Sequence, residues 1–446
     1  MPEFLDEFVS QVRSKRDRFS QQLVRGREGV LDEELSGLMT NSWTPLERNS
    51  QEVIESVAVD GSQALRSFAS GCSLYIVRSL AIKGRKRLRE LEIDSFFSRS
   101  RTSDINNFVT RKMEWIETKV AQRAILEFDL HDTPLLIDGS LYGRMVHLPA
   151  DGPAEGQRDY ILRYFQTYLD FIETCRSRNM VLIGISKDSK VSILRNHFLS
   201  MMFSAELDNI TDEIEPEAKQ TIHDIFENLL DSPLQYKRQL RRLKQKYRDK
   251  LDRIQVMLDE ALACRPDIQL IKNFIKEPGH SQPLELGPYS RYVRRLNEIQ
   301  EDPIHYAEHN FRQAAAESKD EAKFLDQAVD VLTRIQSFPT IISFYVLLDQ
   351  RDTPLRVDVP SWLFGLDHSF SSVKGYSVPD VDPKELVKIL QGGYGGLRNY
   401  NIFLKRADEE VKLNRKTMDE LYTSALEKIL GLTLVHTRGY RRVKYP

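Results

Sequence analysis

Cysteine is scarce. The three in 446 residues, Cys72, Cys175 and Cys264, lie far apart and follow no metal-ligand spacing. That excludes a disulfide framework and leaves reduced thiols as the expectation. Histidine is scarce as well, at nine. The closest pair, His305-Tyr306-Ala307-Glu308-His309, has its glutamate before the second histidine rather than after the first, so it is not a zinc-protease helix. No apolar run approaches the roughly 18 residues that span a bilayer. Met1 to Ser20 is charged where a secretory leader would carry an apolar core. A cytoplasmic protein with no membrane association is expected. Net charge is only −2, from 64 basic and 66 acidic residues. A generic polyanion binder is thereby excluded, while local patches of either sign are not. Gly392-Gly393-Tyr394-Gly395-Gly396 lacks the Lys-Ser/Thr of a phosphate loop. Ser62 and Ser140 lie in no Gly-x-Ser-x-Gly and have no histidine near them in sequence, which argues against a serine hydrolase.

What is there is ordinary in bulk, 41% hydrophobic and 29% charged, and can hold two or three domains' worth of core. Its pattern is more specific. Val57-Ala58-Val59 leads into Asp60-Gly61-Ser62, and Leu135-Leu136-Ile137 leads into Asp138-Gly139-Ser140. Each reads as a buried strand that ends by delivering an acid into an Asp-Gly-Ser turn. Two such turns suggest carboxylates that meet at a common site. The run Phe68–Ile82 reads as a strand antiparallel to the first. The basic cluster Lys83-Gly84-Arg85-Lys86-Arg87-Leu88-Arg89 reads as a solvated turn, or else an edge that contacts phosphate. From Ile105 to Leu126, Phe108, Met113, Ile116, Val120 and Ala124 recur at helical spacing. Glu114 and Glu117 share part of a face of that helix, which feeds the Asp138 strand, and either is a candidate third ligand. A helix from Tyr160 to Arg178 leads into a third strand, Met180–Ser186, closed by Lys187. Strands that end in polar residues with helices between them predict an α/β sheet with its site at the strand ends.

Four segments are expected: a helical arm over residues 1–52, a first core part over 53–200, a helical insertion over 201–334, and a core completion with C-terminal helices over 335–446. In the insertion, Leu240, Leu243, Tyr247, Leu251, Ile254 and Leu258 make a short heptad seam. Around it Lys237, Arg238, Arg241, Arg242, Lys244, Lys246, Arg248 and Lys250 form a basic face, read as a solvated hairpin surface or one that follows DNA or a partner. Thr340–Leu348 and Leu355–Val359 predict a strand pair. A set of carboxylates with little histidine favours Mg²⁺ or Mn²⁺ over zinc, and two such ions would clamp a phosphodiester.

These residues resemble the NurA family of nucleases, which accompany the HerA hexameric ATPase in DNA end resection. The resemblance rests on Val59-Asp60-Gly61-Ser62 and on a glutamate in the helix before Leu136-Ile137-Asp138-Gly139-Ser140-Leu141. It rests further on Ile183–Ser189, on Phe344-Tyr345-Val346-Leu347 with Arg356-Val357-Asp358, and on Tyr400 with Leu404 and Ala407-Asp408. It implies an RNase H-like mixed sheet flanked by helices, with the coiled-coil-like stretch as an insertion. It also implies a homodimer, a HerA-like translocase as partner, and 5′-to-3′ exonuclease and single-strand endonuclease action on DNA with Mn²⁺ (or Mg²⁺), two ions per site. Asp60 would then bridge both ions, Glu117 (or Glu114) and Asp138 would hold one each, and Tyr400 would lie near the scissile phosphate. Lys187 would stabilise charge on that phosphate. One departure is Asp408, where the family often has histidine. Its alternative implication is a catalytically weakened NurA-like adaptor that regulates a DNA translocase.

Overall fold

The computed structural model describes residues 2–25, 28–47, 52–229, 233–263, 265–373 and 375–435. Cys264 lies outside them, as does part of the expected N-terminal arm; Cys72 and Cys175 are free thiols. Among the described residues there are eleven strands: β1 (Trp43–Pro45), β2 (Val57–Ser67), β3 (Ser73–Lys83), β4 (Lys86–Phe96), β5 (Pro134–Asp138), β6 (Val181–Ser186), β7 (Gly279–Ser281), β8 (Leu284–Leu286), β9 (Ile341–Leu347), β10 (Leu355–Pro360) and β11 (Tyr376–Ser377). No helix among the described residues is long and apolar enough to cross a membrane.

The chain forms two compact units. The larger comprises Asn49–Ser186, Glu285–Ser343 and Val357–Pro446. Its sheet runs β10-β6-β5-β2-β3-β4. β2, β5 and β6 are parallel, while β2, β3 and β4 form an antiparallel meander. The sheet is therefore mixed. Val57, Val59, Leu135 and Ile137 are buried, each worth about 1.5–3 kcal/mol against exposure. Over them lie the long helix Thr102–Glu127 and the helix Tyr160–Ser177, which bury Phe108, Ile116, Val120 and Phe165 in the same core. Such a helix between β5 and β6 is the crossover that parallel neighbours require.

The first Asp-Gly-Ser stretch corrects the sequence reading. β2 does not end at Asp60; it runs on to Ser67 and turns back only at Phe68–Cys72, with Gly71 at φ +84°. Strand β4 was also not anticipated. Its Leu91 and Ile93 are exposed, while Glu90 and Glu92 pair with Lys112, Lys119 and Arg123 of the long helix. In the middle of the strand the charged residues face the helix and the apolar ones face solvent, so the usual alternation is inverted there, while Leu88 and Phe96 nearer its ends pack on the core. The basic cluster before it is a hairpin with Gly84 at φ +52°.

The smaller unit comprises Met1–Arg48, Lys187–Leu284 and Phe344–Arg356. In it β1 pairs with β7, and β7 with β9, both antiparallel. Helices carry the rest. The helix Pro2–Ser14 exposes Phe4, Leu5 and Phe8. The heptad seam breaks at Arg248 (φ +42°), so it folds as two helices, Pro233–Tyr247 and Asp252–Ala261, joined by the short turn Arg248–Leu251. Lys237–Asp259 and Lys244–Asp252 ion pairs mark the two as an antiparallel hairpin.

Candidate active site

Parallel pairing places the first two carboxylates. Val57 lies opposite Leu135 and Val59 opposite Ile137. One step further along this register Asp60 and Asp138 stand on the same face of neighbouring strands, whose spacing is about 5 Å. At Asp138 the strand ends: Gly139 takes φ +112°, a region L-residues rarely adopt. Ser140 then caps the short helix Leu141–Met145, its Oγ accepting from Gly143 N at 2.8 Å. Gly184 in β6 has no Cβ because one would lie 2.8 Å from the Gly139 carbonyl.

Glu117 comes from the long helix. Gly61 admits it, since a Cβ at position 61 would lie 2.5 Å from Glu117 Oε1. Gly61 therefore makes room within a continuing strand rather than forming a turn. Its N–H also donates to Asp60 Oδ1 at 2.8 Å. Of the two candidate glutamates, Glu117 is the one whose charge acts on Asp60. Glu114 is bound by His147 Nε2 at 2.8 Å and receives a hydrogen bond from Tyr164 at 3.4 Å. Burial pushes the Glu114 carboxyl up, but His147, Arg144 and Arg111 outweigh it and hold the group below its ordinary value.

The fourth acid, Asp408, lies in the helix Ile402–Val411. Asn401 caps that helix, its Oδ1 accepting from Phe403 N and Leu404 N at 3.0 and 3.1 Å. Leu404, Ala407 and Val411 are its buried stripe. Ser62 Oγ accepts from Leu413 N at 2.7 Å, and Arg78 donates to the carbonyls of Val411 and Lys412, both at 2.6 Å. These bonds pin the helix end to β2 and β3. Tyr400, just before the cap, donates its hydroxyl to Asp138 Oδ2 at 3.2 Å. Lys187 directly follows β6 in sequence and belongs to the smaller unit.

Electrostatics bind these residues into one system. Burial, then Glu117, Asp138 and Asp408, push the Asp60 carboxyl up to about 8. Burial pushes Glu117 up to about 7, with Glu114 and Asp138 adding and Arg144 opposing. Burial and the carboxylates Asp138 and Asp60 also raise the Tyr400 phenol, so it stays protonated.

One residue of this centre, Arg144, was not singled out from sequence, and another, Asp358, was quoted only within the motif Arg356-Val357-Asp358, with no role. Arg144 is buried and donates to Glu117 Oε2, to the Glu114 carbonyl at 3.2 Å and to the Asp138 carbonyl at 3.3 Å. Burial works against its charge, but Glu117 and Glu114 outweigh that and keep the guanidinium charged. Asp358, fully buried, accepts from Ser140 Oγ at 2.6 Å, Ser343 Oγ at 2.8 Å and Tyr142 N at 3.3 Å. Asp358 thus holds the turn, the turn starts the short helix, and that helix carries Arg144 to Glu117. The spacing Asp138-x5-Arg144 was the available signal, but nothing local says which carboxylate the arginine will meet.

Can these residues hold a cation? Asp60, Glu117, Asp138 and Asp408 offer hard oxygen donors, the set suited to Mg²⁺ or Mn²⁺. The raised Asp60 carboxyl shows that the acids cannot all ionise without a positive partner. The donor chemistry fits. Among the described residues, the trio with ligand atoms within 4.8 Å of one another is the exposed His223, Asp224 and Glu227. No three of the four central carboxylates come that close together.

A mixed sheet whose adjacent parallel strands bring two aspartates side by side, with a helix glutamate over them, defines an RNase H-like α/β protein with a carboxylate centre. The NurA domain model matches residues 55–413, and the chain belongs to the NurA family. It is similar to the crystal structure of the NurA nuclease from Sulfolobus solfataricus, with 15% identity, 97% of this chain and 98% of that chain covered, and a TM-score of 0.51. A crystal structure of NurA with manganese matches at 16% identity, 94% and 98% coverage, and TM-score 0.41. One of NurA bound to dAMP and manganese matches at 15%, 93% and 97%, and 0.40. A comparison with curated proteins returns no match.

Proposed function

We propose that the protein is a divalent-cation-dependent nuclease that hydrolyses DNA phosphodiesters, working as a homodimer with a HerA-like ATPase. The observation that carries the reading is geometric: parallel register sets Asp60 beside Asp138, and Gly61 leaves room for Glu117 against the same strand, so acids from separate segments converge at one place. A group so disposed is built to be relieved by a cation.

Asp60, Asp138, Glu117 and Asp408 are the residues that would hold Mn²⁺ or Mg²⁺. Bound there, the ions supply positive charge for the phosphate and lower the pKa of the attacking water. The remaining work belongs to the chain. Glu117 Oε2 is committed to Arg144, so Oε1 is the oxygen it would offer to a cation. Tyr400, beside the place the scissile phosphate would take, keeps its proton and donates a hydrogen bond to Asp138 Oδ2, which orients that carboxylate; its raised phenol supplies no phenolate nucleophile at neutral pH. Lys187 is outside this assignment.

The test is purified protein, Mn²⁺ and labelled single-stranded DNA. Wild type cleaves it. Asp60→Ala and Asp138→Ala lose cleavage while their circular dichroism and dimeric state persist. Full activity in both variants would sink the reading. A second reading, a weakened adaptor that regulates a translocase, draws on Asp408 at a position where histidine is common in the family and on Arg144 already paired with Glu117. A folded, dimeric wild type that binds a HerA-like ATPase but leaves DNA intact would favour it.

A further inference from the structure

The basic face of the insertion divides into two kinds of charge. On the helix Pro233–Tyr247, Leu240 is buried and Leu243 and Tyr247 are half-buried, so these define the inner side. The lysines flank it. Lys237 pairs with Asp259 at 3.5 Å, Lys244 with Asp252, Lys246 with Glu215 at 2.6 Å, and Lys250 of the following turn with Glu213 at 2.8 Å. Arg238, Arg241 and Arg242 lie on the opposite side, and Arg248 follows in the turn just past the helix end; all four are exposed. None of the four has a carboxylate in ion-pair distance among the described residues. A helix turns 100° per residue, so positions 238, 241, 242 and 245 share one crest, opposite the side marked by Leu240, Leu243 and Tyr247.

We propose that this arginine row is a binding surface for the phosphate backbone of a nucleic-acid single strand. The inference rests on the nucleic-acid reading above and adds a second contact surface to it. Three features carry it. The lysine charges are neutralised within the fold, so the uncompensated charge is concentrated in arginine, whose planar fork suits phosphate oxygens. Gln235, Gln239 and Gln245 lie among the arginines, and the single large exposed apolar side chain is Leu234 at the start of the helix. That is too little for the apolar centre of a protein interface. Finally, the charge is spread along the element rather than gathered at one point: Arg238 to Arg242 covers about 6 Å of helix at 1.5 Å per residue, and Arg248 stands just past the helix end, an arrangement that suits successive phosphates of one strand.

The test compares two variants of the full chain by anisotropy of a labelled mixed-sequence single strand in EDTA, across a salt series. One carries Arg238→Gln, Arg241→Gln, Arg242→Gln and Arg248→Gln. The other carries Lys237→Gln, Lys244→Gln, Lys246→Gln and Lys250→Gln and loses the same formal charge. The arginine variant is expected to bind at least tenfold more weakly, with a salt slope shallower by about 0.7 per lost contact. The lysine variant should keep the wild-type slope, and thermal melts report that both are folded. An arginine variant with the wild-type slope overturns the inference and redirects the row to an acidic protein surface. Equal slope losses in both variants overturn it too, as does a wild type that binds no single strand. Mn²⁺-dependent cleavage by wild type, scored separately, shows whether the nuclease reading stands in each case.

Discussion

Asp60 carries the clearest single-residue consequence. Its carboxyl is pushed up to about 8 in the folded chain, whereas the unfolded chain releases that proton near pH 4. Between those values the folded state binds the extra proton, so stability falls as pH rises through the window. Glu117, pushed up to about 7, has the same sign. In metal-free buffer, Asp60→Asn should melt close to wild type near pH 5 and above it near pH 9. Mn²⁺ added at the higher pH should raise the wild-type melt more than the variant's. Scanning calorimetry at the two pH values reads both effects; a variant that melts below wild type at the higher pH removes the burial argument. Asp60 and Asp138 were legible because strand followed by acid is a local pattern. The choice of Glu117 over Glu114 was not, since helical spacing leaves both near one face and the groups that engage Glu114, His147 33 residues away and Tyr164 50 residues away, are remote in sequence.

At the scale of elements, the two Asp-Gly-Ser stretches look alike and fold differently. In β5 the glycine ends the strand with φ +112°. In β2 it sits mid-strand and leaves room for a carboxylate. Gly61→Ala therefore needs no backbone change, yet its Cβ would meet Glu117 Oε1 at 2.5 Å and Met113 Cγ at 2.8 Å. Overpacking of this kind costs about 1–3 kcal/mol, and it displaces the oxygen assigned to the ion. We expect a folded variant whose Mn²⁺ affinity falls about tenfold, or by about 1.4 kcal/mol, by titration of the paramagnetic ion. Unchanged affinity would remove Glu117 Oε1 from the ligand set. Strand β4 teaches the complementary lesson. Its alternation is present in Leu91 and Ile93 against Glu90 and Glu92, but inverted, because Lys112 and Lys119 make the covered side the charged one.

At the scale of the molecule, the chain builds two units from interleaved segments, each with its own polar core. In the smaller one, Arg265 is buried and pairs with Glu260 and Asp32, both at 2.6 Å, while Arg195 pairs with the same Glu260 at 3.4 Å. Asp267, fully buried, accepts from Leu194 N, Arg195 N and Tyr345 Oη, each at 2.9 Å. Breaking one member of such a buried pair costs about 3–5 kcal/mol because the remaining charge stays desolvated. Arg265→Met should lower the melting temperature by several degrees and leave Mn²⁺ affinity at the Asp60 centre unchanged. A parallel loss of metal affinity would show that the two cores are energetically one.

The order of apolar runs and acids along the chain was enough to determine that an α/β sheet would present carboxylates at strand positions 60 and 138, because strand periodicity and strand-to-acid junctions are properties of neighbouring residues. Tertiary structure alone decided which glutamate joins them, that Gly61 is a gap rather than a turn, and that Arg144 and Asp358 hold the centre in place. Those outcomes depend on Coulomb interaction, desolvation and steric exclusion between groups 27 to 218 residues apart, and no local pattern records such distances.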